Sequence, residues 1–404
     1  MHALASEMAR IQETPGGKTH GMDGSLVAAD WPALTLGELR TLLARFPGLD
    51  AAVEILSESP RPLSAASLVK TAAGTVFVKR HARAVRDSAG LAGEHRFMAH
   101  LRRRGISVPL VLADAEGRTA IETGGWTYEV HEAAPGVDLY GEALSWTPFR
   151  NAHHASSAGE LLARMHLAAQ DFDAPPREAQ PLLASFSIFA GGRPSAAMDE
   201  YLAARPALAG NRSVRACADQ ALELLAPFHA RLQPLLPELA PLWTHNDLHA
   251  SNLLWGRSDS HSSGAEHVAA VIDFGLADRT NAVHDLAHAI ERNIVEWLRL
   301  AANPEAPDAV PVHMDHLESL LTGYGSVRPL EPAERAALAP MLALCHAEFA
   351  LSEADYFAGV LKSEERAAMA YDGWLVGHAK WFRSQAGRRL LDSLDDMLQA
   401  GPAE

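Results

Sequence analysis

Cysteine is nearly absent: Cys217 and Cys345 are the only two in 404 residues. That is too few for a disulfide framework or a cysteine-built zinc site, and it points to a reducing compartment, the cytoplasm. Positive charge is also short. Lysine and arginine number 35 against 50 acids, giving 35 − 50 = −15 at pH 7, which opposes attraction to nucleic acid or anionic membranes and favours neutral or cationic partners. No apolar run is long enough to span a bilayer, and Met1–Gly24 lacks a basic region followed by an apolar core, so the chain reads as soluble and unsecreted. What is present is ordinary: 48% hydrophobic and 21% charged residues exclude wholesale disorder despite 24 prolines and 29 glycines.

Residues 1–34 show no sustained periodicity and read as a flexible or loosely docked leader. Thr35 and Glu38 form a capping-box pattern ahead of Leu36, Leu39, Leu42, Leu43 and Phe46, a short amphipathic helix ended by Pro47-Gly48. Strand-like runs follow at Val53–Leu56, Ser67–Lys70 and Thr75–Lys79, the last two separated by the turn Ala73-Gly74. A helical pattern over Leu91–Arg104 precedes two further expected strands, Val111–Ala113 and Trp126–His131. Beyond Pro135-Gly136 helical patterns dominate, one of them signalled by a second capping-box pattern at Ser157 and Glu160. Residues 175–194 and 259–267 read as loops.

Two stretches carry the chemistry. Leu242–Trp255 places Asp247 and Asn252, five residues apart, between apolar strand-like ends; Val268–Gly275 is a buried-strand run that delivers Asp273 and turns at glycine. Phosphoryl transfer needs oxygen ligands for magnesium beside a carboxylate that orients an acceptor hydroxyl, and these three residues supply that set. The five-residue spacing matches the kinase catalytic loop.

His245-x-Asp247-x-x-x-x-Asn252 followed by Ile272-Asp273-Phe274-Gly275 resembles the aminoglycoside phosphotransferase and choline kinase family. The resemblance, from about Val53 to the carboxyl end, implies a two-lobed α+β, protein-kinase-like fold: a five-stranded antiparallel sheet with a helix over 35–134, and a mainly helical lobe over 135–404. It implies ATP and Mg2+ as cofactors, Asp247 as the catalytic base, and Asn252 and Asp273 as metal ligands. Lys79 becomes the phosphate-binding strand lysine, Glu94 its helix partner, and Tyr128-Glu129-Val130-His131 the interlobe hinge, whose backbone would meet a purine edge. His166 and His245 become scaffold, and Asp285 a buttress of the catalytic loop. The phosphate-covering loop expected near Ser57–Ala66 departs from the pattern, having no glycine.

The acceptor implied is a hydroxyl on a small molecule: amino alcohol, hydroxyamino acid, aminoglycoside or other sugar. Glu348, Glu353, Asp355, Tyr356, Tyr371, Asp372 and Trp374 mix acids with aromatics in the region that family members use for acceptors, a wall suited to an ammonium. Competing readings are a Ser/Thr protein kinase with the same machinery, a silent nucleotide-binding module, and a zinc-dependent hydrolase built on His284-Asp285-Leu286-Ala287-His288, where two imidazoles lie one helical turn apart. His153-His154 reads as solvated or capping. Pro15-Gly16-Gly17-Lys18-Thr19 lacks the first glycine and the preceding strand of a P-loop.

Overall fold

Alternating buried and cleft-facing side chains build the first part of the chain into a sheet. The computed structural model describes residues 18–20, 26–49, 52–257 and 266–399. Strands β1 (Lys18–His20) and β2 (Leu26–Ala28) form an antiparallel pair. The end of the leader is docked rather than loose. Trp31 and Leu34 are buried, the Trp31 indole donates to the Tyr356 hydroxyl at 3.0 Å, and Tyr356 and Arg366 donate to Asp30. A buried indole with a partnered N–H, plus an ion pair, offsets the entropy of ordering so short a segment. Pro15-Gly16-Gly17 lies outside the described residues.

Helix α1 (Leu36–Leu43) starts at Thr35 with the expected reciprocal capping box to Glu38. Strands β3 (Ala52–Glu58), β4 (Ala65–Thr71), β5 (Gly74–Ala82), β6 (Ile121–Thr123) and β7 (Trp126–Glu132) form one antiparallel sheet in the order β3-β4-β5-β7-β6. Helix α2 (Ser88–Arg103) lies between β5 and β6 in the chain. Period-two alternation buries Val76 and Val78 of β5 and leaves Lys79 facing the cleft. The fifth strand is β6, not Val111–Ala113. Residues 110–112 make two backbone hydrogen bonds to the same edge of β7, but the turn closed by Gly117 N–H on the Asp114 carbonyl ends that run at once and returns the chain as β6.

The larger lobe is mainly helical: α3 (Ala152–Ala169), α4 (Pro194–Ala203), α5 (Arg212–Leu232), α6 (Ala282–Ile294), α7 (Trp297–Ala302), α8 (Met314–Val327), α9 (Pro332–Leu344) and α10 (His346–Asp355). Helix α3 begins at the side-chain cap Asn151, which places Ser157 and Glu160 inside it rather than at its start. It crosses α8 almost backbone to backbone: a Cβ on Gly159 would lie 2.1 Å from the Leu320 carbonyl oxygen, and one on Gly323 2.1 Å from that of Ser156. Alanine at either position would force the pair apart. His154 is buried, not solvated; it stacks on Trp255 at 3.9 Å and bonds the Tyr140 hydroxyl and the Glu266 carboxylate. Residues 171–193 form the expected long connection, whereas Glu266–Val271 is strand and 258–265 lies outside the described residues. Among the described residues no helix is long and apolar enough to cross a membrane.

Candidate active site

Four short strands bring the two motifs together. β8 (Pro241–Thr244) pairs with β11 (Asp278–Asn281), and β9 (Leu253–Arg257) with β10 (Glu266–Val271), both antiparallel. Thr244 opposes Asp278 and Leu253 opposes Val271, so the loops 245–252 and 272–277 leave the ribbons at the same end. The Ile272 amide then donates to the Asn252 carbonyl at 3.0 Å. Asn246 and Asp273 adopt left-handed backbone, φ 60° and 58°, a conformation that Asn and Asp tolerate better than other non-glycine residues.

A buried carboxylate fixes the first loop. Asp285, on α6, accepts from the amides of His245 (2.9 Å) and Asn246 (2.7 Å) and bonds His166 at 3.1 Å. His245 accepts from the Asp247 amide through Nδ1 and bonds the Ile272 carbonyl through Nε2. His166, His245 and Asp285 are therefore scaffold in this structure. That also disposes of the zinc-hydrolase reading. The acid between His284 and His288 has both oxygens committed to the loop, and neither histidine belongs to a set of three ligand atoms within 4.8 Å among the described residues.

Asp247, Asn252, Asp273 and Lys79 line one cavity between the lobes, ≈ 160 Å³ in volume. The Asn252 amide donates to the Asp247 carbonyl oxygen (2.9 Å) and carboxylate (3.2 Å), which leaves its own carbonyl oxygen on the opposite branch. Lys79 Nζ donates to Asp273 Oδ1 at 2.9 Å, and the Gly275 amide to the same oxygen at 3.3 Å. Burial alone would raise the Asp273 pKa; the Lys79 ammonium more than reverses this and holds it well below the usual carboxylate range. Burial likewise disfavours the charged lysine, but Asp273, Glu129 and Glu94 outweigh it and raise the Lys79 pKa. The oxygens of Asn252 and Asp273 are hard donors of the kind magnesium takes.

Two expectations fail on geometry. Lys79 pairs with Asp273, while Glu94 faces Arg177 at 3.4 Å; Arg177, from the connection before α4, supplies the cation that Glu94 meets. The segment 128–131 is not an exposed hinge. It lies inside β7, where Val130 opposes Val78 of β5 and the Val130 carbonyl accepts from the Leu112 amide at 2.7 Å on the other edge. Glu129 and His131 pair with Lys79 and Phe77 of β5, the Val130 carbonyl is taken by Leu112, and the Glu129 carboxylate takes three imidazoles.

Other residues reach the cavity unannounced by any motif. Arg61 stands in the glycine-free loop between β3 and β4, lines the cavity and donates to the Ala143 carbonyl at 3.0 Å. Arg86 donates to the Leu182 and Gly275 carbonyls and so ties α2's approach to the Asp273 loop. Arg292, buried on α6, sets Nε 3.3 Å from Asp247 Oδ1 and Nη1 3.1 Å from Glu291, with Phe349 4.3 Å and Trp146 5.1 Å from its guanidinium carbon. Trp146, at the cavity wall, has φ 67°, a strained conformation for an indole-bearing residue.

Of the acid–aromatic residues expected at an acceptor wall, Glu353 lines the cavity. Glu348 instead caps the amides of Ser187 and Ile188, Asp355 faces Arg205, and Tyr356 holds the leader. Glu353 Oε2 is buried without a hydrogen-bond partner, and burial pushes its carboxyl pKa up to about 8 against the opposing pull of Arg292. An acid raised in the folded state stabilises fully below its ordinary 4.5 and loses that contribution as pH climbs towards 8. Urea denaturation between those limits is expected to show wild-type stability falling with a slope approaching about 1.4 kcal/mol per pH unit from this group. Glu353→Gln should remove that component; an unchanged pH profile would refute the assignment.

The family model described as the phosphotransferase enzyme family matches residues 63–330, more than half of the chain. Homoserine kinase of Cupriavidus necator is 29% identical over 245 residues, 61% of this chain and 63% of that protein. Homoserine kinase of Rhodopseudomonas palustris strain TIE-1 is 30% identical over 252 residues, 61% and 62% of the two chains. The chain thus aligns with less than two thirds of the length of these relatives. Among solved structures, a microcompartment-associated aminopropanol kinase superposes with TM-score 0.54 at 18% identity, covering 90% of this chain and 99% of that one. An amicoumacin kinase in complex with AMP-PNP and Ca2+ superposes with TM-score 0.50 at 15% identity, covering 90% and 94%. At such identities these two neighbours, both kinases by name, speak to the fold alone.

Proposed function

Because the chain belongs to the phosphotransferase enzyme family, we propose that it transfers a phosphoryl group from ATP to a hydroxyl of a small, ammonium-bearing molecule. The observation that carries this reading is the convergence of Asp247, Asn252, Asp273 and Lys79 on one interlobe cavity. Asp247 orients the acceptor hydroxyl and takes its proton. Arg292 keeps that carboxylate aimed from 3.3 Å, and Lys79 neutralises phosphate charge beside Asp273. Asn252 and Asp273 are the residues to hold Mg2+, which when bound supplies electrostatic stabilisation of the phosphate oxygens.

Glu353 favours an ammonium on the acceptor. An unpartnered buried carboxyl beside Trp146 and Phe349 gains a charge-assisted partner when a cation enters. The homoserine kinase names among the relatives favour amino alcohols and hydroxyamino acids over aminoglycosides as acceptors. The protein-kinase alternative loses support because Asp278 is already paired in β11, three residues after Gly275, which leaves no length for an activation segment.

A screen of hydroxylated amines and amino acids for ATP consumption tests the proposal. Turnover is expected with an aminated acceptor, and Glu353→Gln should raise KM for that acceptor at least about tenfold, with KM for ATP little changed. Turnover confined to polypeptides, or equal KM in the variant, would refute it.

A further inference from the structure

Behind the cavity, three imidazoles from three elements converge on one carboxylate. His81 of β5 meets Glu129 Oε1 at 2.8 Å, and His95 of α2 and His131 of β7 each meet Glu129 Oε2 at 2.8 Å. All four residues are buried. The register explains the convergence: Glu129 and His131 lie on the same face of β7, Glu129 opposes Lys79, and His81 sits two residues further along β5 on that face. Every imidazole presents the same atom, Nε2. The catalytic reading uses none of the three.

We infer that His81, His95, Glu129 and His131 form a binding site for one divalent transition-metal ion of the zinc class, distinct from the Mg2+ ligands of the cavity. The His95 and His131 Nε2 atoms and a Glu129 oxygen lie within 4.8 Å of one another; His81, on the other Glu129 oxygen at 2.8 Å, lies outside that set and completes the site by turning towards it. Tetrahedral coordination with bonds of about 2.0–2.2 Å places such atoms roughly 3.3–3.6 Å apart, so the 2.8 Å imidazole–carboxylate contacts have only to open by about half an ångström to admit an ion. Three nitrogens and one oxygen select zinc-like ions and reject Mg2+ and Ca2+, which take oxygen.

Binding needs each Nε2 lone pair. The imidazoles meet this by carrying their proton on Nδ1 instead, a tautomer change that leaves each ring neutral. At His95 the partner for that proton is in place, since Nδ1 lies 2.8 Å from Thr119 Oγ1; metal-bound histidines characteristically hold such an outer partner. His81 also lines the cavity, which gives an ion its route in. The second group of potential ligands, His313, Asp315 and His316, is weaker because Asp315 is exposed. An ion at Glu129 would pin α2 to the sheet at the residue next to Glu94 and so fix the helix that faces Arg177.

The test is titration of the purified full chain with Co2+ alone, read by visible absorption. Wild type should take up one equivalent with the intense bands of tetrahedral cobalt, displaced by Zn2+ and not by Mg2+. Glu129→Gln and His131→Ala, each checked for cooperative thermal unfolding, should lose those bands, and the double variant His313→Ala/His316→Ala should keep them. Absence of tetrahedral bands in wild type overturns the inference whatever the variants do. Bands that survive in His131→Ala, or vanish only in the His313/His316 variant, overturn it as well.

Discussion

Asp247→Asn is expected to lower kcat by roughly 10²–10⁴-fold, the range that a positioned general base contributes, while the affinity for ATP changes little. The substitution is nearly isosteric. It keeps an oxygen for the Asn252 amide, which also bonds the backbone carbonyl of residue 247, so the loop retains its shape. Arg292 keeps Glu291 at 3.1 Å and is not left without an anion. What disappears is the carboxylate proposed to receive the hydroxyl proton. Asp273→Asn is the instructive contrast, because it removes the anion that Lys79 holds at 2.9 Å and a ligand proposed for Mg2+; nucleotide affinity should fall together with turnover. Isothermal titration with a non-hydrolysable ATP analogue and steady-state kinetics separate the two. A kcat for Asp247→Asn within about tenfold of wild type would remove the aspartate from the role of base.

The second large effect concerns stability. Asp285→Ala should cost about 3–5 kcal/mol in urea denaturation, the range for stripping a buried charge from its partners. Asp285 is fully buried and its carboxylate serves the amides of His245 and Asn246 as well as His166. Alanine leaves two buried N–H groups and an imidazole without an acceptor, each a desolvation penalty in its own right. Burial would push the Asp285 pKa up, yet His166 and the loop amides bring it below its ordinary value. The stabilisation is accordingly present above that value and lost as pH falls towards the depressed one. A cost below about 1 kcal/mol would mean that the loop is held by something else.

The proposed catalytic constellation was legible because each half of it is local. Asp247 and Asn252 are separated by one short loop and Asp273 closely follows a buried strand, so pattern and spacing bring out these three, whereas Lys79, inside β5, took its role from the family resemblance. Residues whose roles are set by chain segments far apart were not legible. Arg177 reaches Glu94 from 83 positions downstream, 177 − 94, and nothing about either residue type announces the pair. Arg292 looks like an ordinary helical charge until its guanidinium meets Asp247 and the Phe349 ring of α10. The misplaced hinge has a similar cause: Tyr128–His131 has the alternation of a strand and is one, but only the register shows both of its edges occupied. One signal was available, in that three histidines and a glutamate at 81, 95, 131 and 129 are too polar for the interior of a small lobe unless they satisfy one another.

The clasp of Asp30 and Trp31 on Tyr356 and Arg366 has an architectural consequence. Tyr356 directly follows α10, whose final turn carries Glu353, so the segment ahead of α1 grips the far end of the wall proposed to face the acceptor. Loosening that segment would act at a distance, on the platform from which Glu353 projects.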